Sequence, residues 1–454
     1  MKLQNVILAK EPSGSRWDLE VTDDRLQTKE ATKADRKAPT SLLLPPLCHP
    51  HIHLDKPYIL TGNHAPSDRH PDYTDLVPQS GSFGEALANT STAKERYTHE
   101  DLYLRGSQLL ATSYQQGVTS MRAFVELDHV TGTLPLEAAI RLQQDFSHLV
   151  QVQICAFAQD PVFSTGHGKE NRSTIEKALH AFGPFIDALG SAPYVEQSEE
   201  DAIKNIDWAI RTALKHRVHL DFHLDYNLDD SAGFLLEPVL RLLGDHQWSR
   251  LAEKSKTIVI GHCSHLTTLP VRKILDIANT IRQQGLPIHF VGLPTSDLFM
   301  MGRPSEKETR PHSRLRGTLQ VPSMIKDFGL SACLGANNVG NAFTPYGSCD
   351  PLQLACWGVG LYQAGTVDDA ELLFSSVSSR AREAIGLPNI GYGERMEEGS
   401  VWRPMLLIDN IQTISVPPNP KSGHVDIQIP ARQRLSIKDV VWDPPETSLR
   451  SVVG

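Results

Sequence analysis

The stretch Cys48-His49-Pro50-His51-Ile52-His53-Leu54-Asp55-Lys56 puts three histidines on alternate positions. In an extended segment that spacing sets His51 and His53 on one side and Ile52 on the other. His49 shares their parity but lies deeper, ahead of Pro50. Two imidazoles converging from one strand end can hold a divalent metal such as zinc or iron. With 19 histidines in the chain the pair alone decides nothing, so its meaning depends on what the remaining sequence places beside it.

Working outward, short apolar runs alternate with longer helical patterns. Leu42–Leu47 leads into the histidines as the first strand. Further strands are expected at Val118–Val125, Val150–Phe157, Asp187–Gly190, Val218–Leu224, Thr257–Gly261, Pro287–Val291 and Leu330–Gly335. Helical spacing falls between them at Leu136–Phe146, Asp201–His216 and Val271–Gln284. This alternation predicts an α/β fold, a (β/α)8 TIM-like barrel over residues 41–385.

The flanks read differently. Asn5–Ala9 and Trp17–Val21 are strand-like, and Asp23–Lys37 is a polar, charged linker. Beyond Gly386 short alternating runs recur at Met405–Leu407, Ile411–Val416, Val425–Ile429 and Leu435–Val441. Residues 1–40 and 386–454 are therefore expected to form a small flanking β-sandwich from both chain ends. Two long loops, Gly62–Thr92 and the net-basic Met301–Gly317, stand beside the barrel as candidate functional or solvated segments.

Composition bounds the function. The 454 residues are 40% hydrophobic, enough for a large core, and 44 basic against 53 acidic residues give a net charge of -9. A mildly acidic chain is a poor general nucleic-acid binder. No apolar stretch approaches membrane-spanning length, and Met1–Arg16 lacks a secretory apolar segment. Six cysteines without a CxxC fit a reducing compartment, so a cytoplasmic protein working on a small molecule is expected. A homo-oligomer stays open.

Ligand-capable residues recur at later strand ends. The fifth strand ends Leu220-Asp221-Phe222-His223-Leu224-Asp225, the sixth Gly261-His262-Cys263-Ser264-His265, and the eighth Gly335-Ala336-Asn337-Asn338. The C-terminal ends of barrel strands share one face, where barrel active sites lie. The ordered set resembles the amidohydrolase superfamily and is most similar to its cytosine deaminase-like branch. His51-Ile52-His53-Leu54-Asp55, Phe157-Ala158-Gln159, Phe222-His223-Leu224-Asp225, Gly261-His262, Met301-Gly302-Arg303 and Gly335-Ala336-Asn337-Asn338-Val339 carry the likeness across about residues 40–390. The resemblance implies one metal ion held by His51, His53, His223 and the position of Asn337. It also implies His262 as base or hydrogen-bond partner of the attacking water, and Gln159 against the substrate.

Two departures accompany the matches. The branch carries Asp where this chain has Asn337, a neutral amide that cannot take a proton from water. It carries Glu where this chain has Tyr226, whose phenol is a poor base at neutral pH. The proton work then falls to His262, with His265, Asp225 or Asp297 as helpers and Asp350, just past the strand-8 loop, placed to fold back. Tyr226, Arg303 and Asp297 join Gln159 as expected substrate-facing groups. The expected function is a metal-dependent hydrolase of a non-peptide C–N bond in a small cyclic or heterocyclic substrate, deamination included. Some relatives in the superfamily serve secondary-metabolite pathways, a role this divergence suits. A pseudoenzyme that binds without hydrolysing, and a metal-assisted isomerase or lyase, are the competing readings.

Overall fold

A parallel strand covered by helices on one side and by the barrel interior on the other must be apolar along its whole length. Val118–Glu126 shows this, with all of its residues buried. The computed structural model describes residues 1–454 except 10, 12–14, 32–39, 62–63, 230–232, 305–314, 390–397 and 420–424. Numbered in chain order, its strands begin with β1 (Lys2–Leu8), β2 (Trp17–Thr22), β3 (Arg25–Glu30) and β4 (Ser41–Leu44). The barrel follows with β5 (Leu47–His53), β6 (Val118–Glu126), β7 (Gln151–Ala158), β8 (Ile186–Ser191), β9 (His219–Leu224), β10 (Ile258–His262), β11 (Ile288–Gly292) and β12 (Ala332–Leu334). The chain closes with β13 (Met405–Ile408), β14 (Thr413–Val416), β15 (Ile427–Pro430) and β16 (Arg450–Val453).

Strands β5 to β12 form one parallel eight-stranded sheet in sequential order. The sheet nearly closes on itself where Ile52 bridges Asn337. There the Asn337 N–H donates to the His51 carbonyl at 3.0 Å and the His53 N–H donates to the Asn337 carbonyl at 2.8 Å. The seam of the barrel therefore runs through the histidine strand. The crossover helices carry the usual end signals. In Glu199–His216, Ser198 accepts from the Asp201 N–H, acidic residues fill the first turn, Lys215 and His216 the last, and left-handed Arg217 ends it.

The predicted first strand, Leu42–Leu47, is corrected. Pro45 and Pro46 have no N–H to give a ladder, so the run splits there. Ser41–Leu44 joins the side sheet, and the barrel strand is the histidine segment itself. Both chain ends build that side sheet, in the order β16-β13-β4-β1-β2-β3, while β14 and β15 make a separate hairpin. The stretch read as a linker from Asp23 contains β3, paired residue by residue with β2. Asp23 and Asp24, at φ 50° and 55°, make the tight left-handed turn that a two-residue hairpin needs. Leu435–Val441, read as a strand, holds the helix Ile437–Trp442, started by Ser436 accepting from the Asp439 N–H. Among the described residues no helix is long and apolar enough to cross a membrane.

Candidate metal centre

The C-terminal ends of β5 and β9 bring three imidazoles together. His51 Nε2 lies 3.0 Å from His223 Nε2, and His53 Nε2 lies 3.2 Å from the same atom. All three rings are buried. Imidazole–zinc bonds of about 2.1 Å at tetrahedral angles place neighbouring nitrogens about 3.4 Å apart, close to these two separations; His51, His223 and His262 have ligand atoms all within 4.8 Å of one another, as do His53, Asp55 and Glu126 beside them. Burial, then the neighbouring cationic and imidazole groups, pushes the pKa values of His51, His53 and His223 down, that of His53 to about 4. Neutral imidazoles are the form a metal needs. Their Nδ1 atoms turn away from the cluster, His51 toward Asp221 Oδ1 at 3.8 Å and His53 toward Asp55 Oδ1 at 3.7 Å.

Backbone strain marks the surrounding strand ends. Asp225, His262, Cys263 and Asn337 all have positive φ, between 45° and 67°, unusual for residues with a Cβ. His262 Nδ1–H donates to Asp297 Oδ1 at 2.6 Å, and the Thr318 hydroxyl donates to Asp297 Oδ2 at 2.7 Å. That pairing fixes the imidazole so that Nε2 carries the lone pair. Asn337 Nδ2 faces this nitrogen at 3.5 Å, while Asn337 Oδ1 is buried with no hydrogen-bond partner among the described residues.

The other expected site residues take varied places. Gln159 follows β7, buried, its Nε2 without a partner among the described residues. Tyr226 packs on Phe83 at 4.5 Å and Tyr194 at 5.2 Å between ring centres. Asp297, expected to face substrate, stands behind His262, where both of its oxygens are engaged. Asp225, expected to help with protons, accepts from the Leu235 and Leu236 N–H groups at 3.1 Å and starts the helix Leu236–Asp245. His265 stacks on Phe234 at 5.5 Å. Asp350 is taken up by Arg450, at 2.8 Å and 2.9 Å. Arg303 lines a rim groove of about 650 Å³ with Phe299, Arg316 and Tyr346. Much of its basic loop, including Lys307, Arg310 and Arg314, lies outside the described residues.

Sequence reasoning passed over a buried charge network beside the histidines. Lys56 pairs with Glu126 Oε1, and Lys94 lies 2.8 Å from Glu126 Oε2, 2.7 Å from Asp128 and 3.1 Å from Asp160. Against the cost of burial, the two ammonium groups hold Glu126 well below the usual carboxylate range. Lys56 closes the opening stretch itself. A charged residue at the end of a buried strand motif was the available signal, since lysine is almost never fully buried unless paired.

A nearly closed parallel barrel with imidazoles gathered at its C-terminal strand ends is the architecture of a metal-dependent hydrolase barrel. No family model matches the chain. Over 390 residues, 85% of this chain and 86% of the relative, it is 22% identical to the N-isopropylammelide isopropyl amidohydrolase of Pseudomonas sp. (strain ADP). The crystal structure of 5-methylcytosine deaminase from Klebsiella pneumoniae liganded with 5-fluorocytosine superposes with TM-score 0.72 at 18% identity, covering 90% of this chain and 91% of that one. N-isopropylammelide isopropylaminohydrolase from Burkholderia multivorans superposes with TM-score 0.67 at 20% identity, covering 99% and 95%. The solved structures share the fold, and the chain is similar over most of its length to a curated amidohydrolase.

Proposed function

We propose that the chain is a metal-dependent amidohydrolase that cleaves an exocyclic or ring C–N bond of a small nitrogen heterocycle, releasing ammonia or an amine. The observation that carries this is the approach of His51 Nε2 and His53 Nε2 to His223 Nε2 at the C-terminal ends of the barrel strands. His51, His53 and His223 would hold zinc or iron, with Asn337 Oδ1 as the neutral fourth donor. A divalent ion there supplies an acidified water as nucleophile near neutral pH and polarises the bond to be cleaved. His262, fixed by Asp297, takes the proton from the water through Nε2 and returns it to the departing nitrogen. Gln159 and Tyr226 orient the ring, and Asp297 acts through His262. The substrate is a small molecule, and the six cysteines, all free thiols, suit a cytoplasmic setting.

Similarity to an amidohydrolase over most of the chain supports hydrolysis above binding alone. The test joins metal analysis of the purified protein to ammonia and amine release from a panel of aminated pyrimidines and triazines. We expect close to one ion per chain and release that stops in His51→Ala and His262→Ala, with metal lost only in the first. Less than about a tenth of an equivalent of metal, with no activity after adding zinc or iron, would overturn the reading in favour of a barrel that binds without hydrolysing.

A further inference from the structure

The proposed reaction leaves a fully buried cation beside the proposed metal histidines without a task. Lys56 has a side chain 1% exposed, and Glu126 Oε1 accepts one of its three N–H donors. Its Nζ also lies 4.6 Å from the centre of the Phe343 ring. The main chain is pinned as well, since Asn341 Nδ2 donates to the Lys56 carbonyl at 3.0 Å. Glu126 does not belong to Lys56 alone, because Lys94 takes its second oxygen at 2.8 Å. With one of its three N–H donors on Glu126, Lys56 keeps N–H groups to offer.

Phe343 connects this cation to a flat apolar wall. It packs in one cluster with Phe83 and Tyr226, at 6.0 Å between the Phe343 and Phe83 ring centres. Aromatic faces of this kind take a planar ring. The second polar group that points to a ligand is Gln159, whose buried Nε2 has no partner among the described residues. A wall for a flat ring, with two buried donors that still have N–H groups to give, calls for a ring that bears acceptor oxygens.

We propose that Lys56 is a substrate-binding residue that selects oxo-heterocycles, its ammonium donating to a ring carbonyl oxygen or the matching anionic oxygen of a planar ring laid against Phe343 and Tyr226. This rests on the hydrolase reading for where the substrate lies. As water adds to a ring carbon, the electron pair of the ring C=N bond moves into the ring and onto such an oxygen. A desolvated ammonium stabilises that charge as it develops.

The experiment measures equilibrium binding of two triazines of equal ring size to the metal-loaded protein by calorimetry. Cyanuric acid presents three oxo groups and melamine three amino groups. Wild type is expected to prefer cyanuric acid, and Lys56→Met to lose about 10- to 100-fold in affinity for it with melamine unchanged, the range for a hydrogen bond to a charged group. Lys56→Arg is expected to recover most of the loss. Removing Lys56 leaves Glu126 with one partner fewer, so Lys56→Met is also made with Glu126→Gln. Thermal melting and metal content show which variants are folded and loaded. Equal cyanuric acid binding by wild type and a folded, loaded Lys56→Met protein would overturn the proposal, as would a wild type that binds melamine better or binds neither ring. Oxo preference lost with Lys56, in a protein that releases no ammonia or amine from any ring, would sustain this proposal and defeat the hydrolase reading. Hydrolysis with no role for Lys56 in ring choice would do the reverse.

Discussion

Gly261 is the residue against which His51 of the proposed metal centre packs, and Gly261→Ala tests that placement. A Cβ at this position would sit 2.7 Å from His51 Cε1 and 3.0 Å from His51 Nδ1, where ordinary contact begins at 3.4 Å. Relief requires the His51 ring to retreat by about 0.7 Å, the difference between 3.4 and 2.7. It has no free direction, since Phe124 and His223 lie 4.2 Å and 4.3 Å away between ring centres. The backbone of Gly261 is held too, paired with His223 on one side and Val291 on the other. Ligand positions in a metal site tolerate about 0.2 Å. The expected loss is therefore about 10- to 100-fold in metal affinity, comparable to losing a group that orients a ligand, with about 1–3 kcal/mol of overpacking in the metal-free protein. Competition against a graded chelator measures the first, and urea melts of metal-free protein the second. Gly183→Ala, where the added Cβ meets nothing within 4 Å, is the control. A folded Gly261→Ala protein that holds metal as tightly as the control would refute the argument, because His51 would then not be a ligand at its observed position.

Three other outcomes follow from the same geometry. Asp297→Asn should lower kcat by about 10²- to 10⁴-fold with metal content unchanged, because the amide can favour the wrong His262 tautomer; metal analysis and steady-state kinetics separate the two effects. Asn337→Asp should raise metal retention against a chelator by placing a carboxylate where a neutral amide stands, and unchanged retention would mean that this side chain does not reach the ion. Burial raises Asp225 to about 7, against the pull of the Leu235 and Leu236 N–H groups. Its folded pKa lies above its unfolded value near 3.9, so its favourable contribution is complete below that value and is lost as pH rises toward 7. Asp225→Asn should therefore flatten the fall in stability between about pH 4 and pH 7 in urea melts taken across that range.

The barrel was legible because its evidence is repetitive. Apolar runs separated by amphipathic helices recur along the chain, and an error of one or two residues in any of them leaves the alternation intact. The misreadings fell where one local feature decides the outcome. Pro45 and Pro46 divide one apolar run between two sheets, and an Asp23-Asp24 turn hides a hairpin inside a charged stretch. Val440 and Val441 look like strand residues but lie in a helix set by Ser436. At the site, the histidines could be grouped because strand periodicity and barrel direction together say which ends meet. Asp297 could not be placed behind His262, because that contact spans 35 residues and depends on a short helix after β11. Lys56 was in view throughout, but a lysine reads as solvent-facing until the carboxylate that keeps it buried is found 70 residues away on the next strand.

The replacement of a carboxylate by Asn337 becomes intelligible once the charges around the cluster are counted. Three neutral imidazoles and an amide bring no negative charge to a divalent ion, yet carboxylates surround them one group further out. Asp55 and Asp221 face the outer nitrogens of His53 and His51, and Asp297 backs His262. These are not equivalent. Asp221 already answers to Arg122 at 3.2 Å, so part of its charge is spent inside the barrel. Asp55 instead has Oδ2 occupied by the neutral Glu126 N–H at 3.0 Å and keeps Oδ1 toward His53. A carboxylate on the far nitrogen of an imidazole makes the near nitrogen a stronger donor. In the proposed site, negative charge withheld at Asn337 would thus be returned through His53.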